Sequence, residues 1–174
     1  ESYLKRISTT TCALVMESGA QIAGGVRIFP QGYQKKIAEL SNTYGILLIL
    51  DEIATGFGRL GSMIEYLKQD SIPDIVCFGK SLTAGYTPLA VTLTSSEIFQ
   101  SFLDRRSKFY HGHTFCGHPI GCATAIANLK LYRNRGLIKD ISLNSRYIRN
   151  RLYDFQKSPA VSNLRHKGML AGLD

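Results

Sequence analysis

The sequence predicts an open α/β fold: a mainly parallel sheet with helices on both faces. Three observations carry that prediction. Short, wholly apolar runs alternate with stretches of helical periodicity. One run, Ile46-Leu47-Leu48-Ile49-Leu50, is five aliphatics in a row, the pattern of a strand covered on both sides. Polar, glycine-rich segments follow the runs at their carboxyl ends, where open α/β sheets hold their ligands.

In chain order, Cys12-Ala13-Leu14-Val15-Met16 is an apolar run of strand length, followed by a glycine-containing loop over 18–25. Pro30 opens a helix through Tyr44, with Tyr33, Ile37 and Leu40 at helical spacing and Gly45 as its stop. The five aliphatics form the second strand. A polar loop over 51–61 leads to a short helix near Met63 to Lys68. Ile75 to Phe78 is a third strand and Leu89 to Thr94 a fourth. Ser95-Ser96-Glu97 caps a helix running to Leu103. Pro119 to Tyr132 reads as an alanine-rich helix and Leu137 to Phe155 as an amphipathic one. On the latter, Arg146, Arg149 and Arg151 oppose Ile141, Ile148, Leu152 and Phe155. Val161 to Leu173 carries strand and turn signals.

The 174 residues are 44% hydrophobic and 20% charged, enough for a packed core. The formal charge of +8 invites a nucleic-acid reading, but its distribution argues otherwise. Residues 1–129 carry 11 basic and 10 acidic side chains, whereas 130–174 carry 10 and 3. Trp is absent, and so are a P-loop, a helix-turn-helix signature and an RNA-binding aromatic motif, so no nucleic-acid partner is expected. No run reaches the ~18 apolar residues of a membrane span, and the first residues lack the basic-then-apolar pattern of a signal peptide. Cys12, Cys77, Cys116 and Cys122 are scattered, two of them in apolar runs. We expect reduced, buried thiols in a cytoplasmic protein with no membrane association.

The strand-end rule singles out Glu17, the pair Asp51 and Glu52, and Gly79-Lys80. A lysine at a strand end in an apolar setting can serve as a nucleophile toward carbonyls. An aspartate facing a pyridine nitrogen keeps that nitrogen protonated. Asp with a covalently binding Lys is the pairing that pyridoxal phosphate chemistry uses. On spacing alone, Lys80 also reads as a surface lysine and Asp51 as a turn or cap residue. His111, His113, Cys116, His118 and Cys122 form a dense cluster, but their spacing matches no common zinc pattern, and no metal is expected.

Context sharpens these readings. Asp51-Glu52-Ile53-Ala54-Thr55-Gly56-Phe57-Gly58-Arg59-Leu60-Gly61, then Pro73-Asp74-Ile75 and Gly79-Lys80-Ser81-Leu82-Thr83-Ala84-Gly85, resemble the class III aminotransferases, which are fold-type I pyridoxal phosphate enzymes. Glu17-Ser18-Gly19-Ala20-Gln21-Ile22-Ala23-Gly24-Gly25 resembles the family's E-P-x-x-Q-G-A-G-G segment, with Ser18 and Ile22 departing from it. Ile53-Ala54-Thr55 and the segment from Phe109 to Pro119 are most similar to the branch that aminates 8-amino-7-oxononanoate. There the pattern is F-x-H-G-x-T-F/Y-x-G-N-P, and His118 replaces its usual Asn.

The resemblance implies pyridoxal 5'-phosphate as cofactor. It implies that Lys80 binds the cofactor covalently and then moves the substrate proton, and that Asp51 pairs with the ring nitrogen. Ile53 or Ala54 packs on the ring, and Thr114 binds the phosphate of the other subunit of a homodimer. Glu52 and Arg59 hold the loop, while Glu17 and Gln21 border the cofactor or make structural contacts. The implied reaction is transamination of 8-amino-7-oxononanoate to 7,8-diaminononanoate in biotin synthesis, with S-adenosylmethionine as donor. The alternatives are another ω-aminotransferase, acting on ornithine or 4-aminobutyrate, and a non-catalytic remnant. Small molecules are the expected substrates. Family members are far longer, so we expect an internal piece: 1–135 from the large cofactor-binding domain and 136–174 from the start of the small one. Alone, that piece is expected to be poorly soluble or partly unfolded, and to have no transaminase activity.

Overall fold

A computed structural model of the chain describes residues 2–104 and 106–174. The main sheet has four strands: β1 (Ala13–Glu17), β4 (Leu47–Asp51), β5 (Ile75–Phe78) and β6 (Val91–Thr94), in the order β1-β4-β5-β6. β1, β4 and β5 are mutually parallel, and β6 runs antiparallel at the edge. The sequence pattern located these four strands. It carried no sign of the reversed direction of β6, because apolar alternation reads the same in both directions.

Two small hairpins flank the sheet. β2 (Ala20–Gln21) pairs with β3 (Arg27–Ile28), and β7 (Arg165–Lys167) with β8 (Leu170–Gly172). β2 lies in the segment expected to be a loop and β3 just after it, since two-residue strands leave no periodicity to read. The helices are α1 (Ser2–Ile7), α2 (Tyr33–Thr43), α3 (Glu65–Lys68), α4 (Ser96–Ser101), α5 (Pro119–Arg135) and α6 (Leu137–Tyr153). α1 is one that the sequence did not single out. α2 starts three residues later than Pro30 would place it, because Gly32 takes a left-handed backbone at φ 79° and breaks the turn. The Ser95 hydroxyl accepts the Ile98 N–H, which confirms the expected cap of α4.

The alternation along β4 sorts the core. Leu48 and Leu50 are buried, with Val76 and Phe78 of β5, Phe57, Leu82 and Ala125 around them. Ile37 and Ala38 of α2 and Tyr132 of α5 close over the same cluster. Each buried aliphatic contributes about 1.5–3 kcal/mol. A second cluster joins Leu4 of α1 to Leu40 and Ile46. The alternate residues face the other way, and there Val15 is 67% exposed and Leu47 38%. A polar knot fixes α2 to the end of β1. The buried Gln34 amide donates to the Ser18 and Ser71 hydroxyls at 3.0 and 2.7 Å, and its oxygen accepts the Gly19 N–H at 2.7 Å.

α6 is amphipathic as expected for Ile141, Ile148 and Leu152, which are half-buried opposite exposed Arg146, Arg149 and Arg151. Phe155 departs from this pattern: it lies beyond the end of the helix, in a 3₁₀ turn, and is exposed. The cysteines also need correction. Cys12 precedes β1 and is exposed, as is Cys116, while Cys77 sits half-buried on the less covered sheet face; all four are free thiols. Among the described residues, no helix is long and apolar enough to cross a membrane.

Candidate active site

The parallel register brings three strand ends to one edge. Glu17 stands across from Asp51, and Asp51 across from Cys77, three residues before Lys80. The ladder runs one residue further on both sides. The Ser18 N–H donates to the Asp51 carbonyl at 3.1 Å, and the Glu52 N–H to the Cys77 carbonyl at 2.9 Å. The proline usual in the family at position 18 has no N–H for the first of these bonds.

Asp51 is half-buried, and its Oδ1 accepts the Ile53 N–H at 2.8 Å. This turn bond leads the chain directly from the strand into the loop. Ile53 folds back over the next strand end. A Cβ on Gly79 would meet Ile53 Cγ2 at 3.2 Å, so glycine there lets the loop lie close to the segment that bears Lys80. Lys80 has an exposed side chain and opens a 3₁₀ turn, Lys80–Thr83. Its φ of +40° is left-handed for a residue with a side chain, a strain of about 1–3 kcal/mol that the surroundings must hold.

They hold it at three points. The Leu82 N–H donates to the Gly79 carbonyl at 2.8 Å. The Thr83 hydroxyl donates to the Thr87 carbonyl at 2.6 Å. The Asn128 amide of α5 donates to the carbonyls of Ser81 and Leu82 at 2.8 and 3.0 Å. Asn128 was not legible in the sequence, since an asparagine inside an alanine-rich helix carries no motif.

Lys80 and Ile53 line a cleft of about 790 Å³ together with Leu89, His113, Phe115 and Cys116. Thr114 is exposed on the loop that supplies the last three, but it is not in the wall itself. Ala54 is half-buried in the turn after Ile53 and is also outside the wall. Asp51 borders a separate depression of about 520 Å³, with Glu17, Gln21 and Tyr33. The strand edge thus brings Asp51 and Lys80 to neighbouring ends while their side chains border different concavities.

The remaining candidates have local partners. Glu52 is fully buried, and its two oxygens accept the Glu65 and Tyr66 N–H groups at 2.9 and 2.5 Å, holding the start of α3. Burial pushes its carboxyl above the usual range, with those N–H groups opposing. Arg59 holds the loop through its carbonyl, which accepts the Met169 N–H at 2.9 Å. Glu17 accepts the Ile22 N–H at 2.8 Å, a backbone bond rather than an ion pair. His118 Nδ1 accepts the Gly121 N–H at 3.3 Å and so caps α5, a task that its acceptor nitrogen shares with the asparagine usual in the family. His113 Nδ1 and Cys116 Sγ make turn bonds of the same kind. Among the described residues, no group of three His, Cys, Asp or Glu is arranged to hold a metal.

Comparison with known proteins places the chain among aminotransferases. The aminotransferase class-III family pattern matches residues 1–174. An adenosylmethionine-8-amino-7-oxononanoate aminotransferase of Aquifex aeolicus is 40% identical over 93% of the chain, and the match covers 36% of that protein. The crystal structure of the enzyme of the same name from Methanocaldococcus jannaschii superposes with a TM-score of 0.93 at 32% identity, over 99% of this chain and 41% of that one. An (S)-enantioselective omega-transaminase from Thermomicrobium roseum gives the same TM-score of 0.93 at 37% identity, over 99% and 39%. The chain therefore spans roughly two fifths of the length of these relatives.

Proposed function

The chain belongs to the class III aminotransferase family, and from that premise we propose that the whole protein is a pyridoxal-phosphate-dependent aminotransferase. Its reaction in this reading is amino transfer to 8-amino-7-oxononanoate, giving 7,8-diaminononanoate in biotin synthesis, with S-adenosylmethionine as donor. The name of the Aquifex relative and the segment Ile53-Ala54-Thr55 support that substrate. One observation carries the reading: Asp51 ends β4 and Lys80 follows β5, the strand that β4 pairs with in parallel.

The side chains at this edge fit the cofactor by type. It needs an amine, a carboxylate for its ring nitrogen and an uncharged wall, and Lys80, Asp51, Ile53 and Ala54 are of those types. Gly79 keeps the space beside Ile53 clear of a further side chain. When bound, pyridoxal phosphate supplies the electron sink for the bond broken at the substrate's Cα. Lys80 Nζ binds the cofactor and, once freed, moves the proton at that Cα. Asp51 holds the proton on the ring nitrogen, because an opposite charge favours the ionised form. Ile53, in the cleft wall, or Ala54 in the turn beside it would shield the ring face from water. Thr114 binds the phosphate of the partner subunit's cofactor, in a homodimer whose sites are shared. Residues 1–135 then belong to the large domain and 136–174 begin the small one, in a cytoplasmic protein.

A second reading, an ω-aminotransferase for ornithine, 4-aminobutyrate or a similar terminal amine, is favoured by the equal fold similarity of the Thermomicrobium enzyme. Single-turnover assays of the whole protein separate the two. Formation of 7,8-diaminononanoate from 8-amino-7-oxononanoate, with S-adenosylmethionine as amino donor, supports the first, and transfer only from terminal amines replaces it with the second. Lys80→Ala is expected to lower either rate by about 10²–10⁴-fold or more. Unchanged turnover in that variant removes Lys80 from the chemistry.

A further inference from the structure

We propose that Asn128 is a positioning residue that fixes the turn carrying Lys80. The inference rests on the reading of Lys80 as the cofactor-binding amine. The buried positions of α5 are Gly121, Ala125 and Asn128, spaced four and three residues apart and so on one face of the helix. That face lies along the segment after β5. A Cβ on Gly121 would stand 3.6 Å from Leu89, a wall residue of the Lys80 cleft. Ala125 packs in the core with Leu82. Asn128 completes the row with its amide on the carbonyls of Ser81 and Leu82.

Two features single Asn128 out. Asparagine is a poor helix former in mid-helix, and a buried amide costs stability unless its hydrogens are used. Here the one NH₂ group serves two successive carbonyls of a strained turn, so it restrains the backbone rather than merely filling space. Asn128 itself is outside the cleft wall. It acts through the turn: with Ser81 and Leu82 held, Lys80 keeps its φ of +40° and its amine stays aimed from the strand end.

The test uses the whole protein with pyridoxal 5'-phosphate as probe, borohydride trapping, and peptide mapping of the labelled lysines. Amide exchange over the Lys80–Thr83 turn is followed in parallel. The variants are Asn128→Asp, which keeps the shape but has no donor when ionised, and Asn128→Ala. Tyr132→Phe is the control, because it removes a different α5 hydrogen bond, to the Phe57 carbonyl at 2.7 Å. Wild type is expected to label Lys80 in preference to the exposed Lys68 and Lys139. Both Asn128 variants are expected to lose that preference and to speed exchange in the turn by about fivefold to tenfold, as for lost hydrogen bonds of ordinary strength. Tyr132→Phe is expected to lower the melting temperature and keep the preference.

Three results overturn the proposal: variants that label and exchange like wild type, faster exchange with the Lys80 preference intact, or the same loss of preference in Tyr132→Phe. A wild-type chain that shows no preference for Lys80 instead brings down the reading of Lys80, and the proposal with it. That failure appears before any variant is made, so the two failures are distinct.

Discussion

The amine of Lys80 is open to solvent while the backbone beneath it is strained and pinned. Lys80 and Asp51 were legible in the sequence because both lie in motifs next to strand ends, and strand ends can be read from apolar runs. Asn128 and Gln34 were not, because their partners are 15 to 47 residues away and include backbone groups. His166 was equally silent. Burial holds its imidazole below the usual value of 6.5, with the charge of Arg149 acting in the same direction and the Gly168 backbone opposing. The folded state therefore resists taking up the proton. Stability is intact above the unfolded value and falls as pH drops through the folded one. Urea midpoints measured near pH 7.5 and near pH 5 should fall in wild type and fall less in His166→Phe, whose ring has no proton to take up.

Among the elements, the four main strands and the helices from α2 onward could be located from sequence, with no end displaced by more than three residues. The displacements have local causes, such as Gly32 at the start of α2. The β7–β8 hairpin lies where strand and turn signals were read over 161–173, but its packing partner was not legible. Gly168, between β7 and β8, is buried against the loop that follows β4. A Cβ there would lie 2.3 Å from the Leu60 carbonyl carbon and 2.6 Å from Gly61 N, at a φ of +64°. Both neighbours are backbone and cannot swing aside. Gly168→Ala is expected to cost more than about 2 kcal/mol and to loosen the contact between Met169 N–H and the Arg59 carbonyl. A lowered urea midpoint with faster exchange at Met169 confirms this; a neutral variant means the hairpin is free to shift.

At the scale of residues 1–174, the two faces of the sheet are unequally covered. The face bearing Val15 and Leu47 leaves apolar side chains in water, and such patches drive association. Val15→Lys with Leu47→Lys is expected to reduce concentration-dependent association in sedimentation, with Leu48 and Leu50 keeping the core intact on the opposite face. Association unchanged by the pair moves its origin elsewhere, for example to the exposed aromatics Phe109 and Tyr110. The excess charge of residues 130–174 needs no polyanion to explain it, since three of its arginines lie on the solvent side of α6. Glu65, fully buried, is paired with Lys167 at 2.6 Å, a residue 102 positions later in the chain. At a synthesis rate of 5–20 residues per second, its counter-charge emerges roughly 5–20 s after it does. The connection between β4 and β5, which contains Glu65's helix, therefore has to wait for the β7–β8 hairpin before it can settle, and a ribosome-bound chain passes through an interval in which that carboxylate has no cation to bury it.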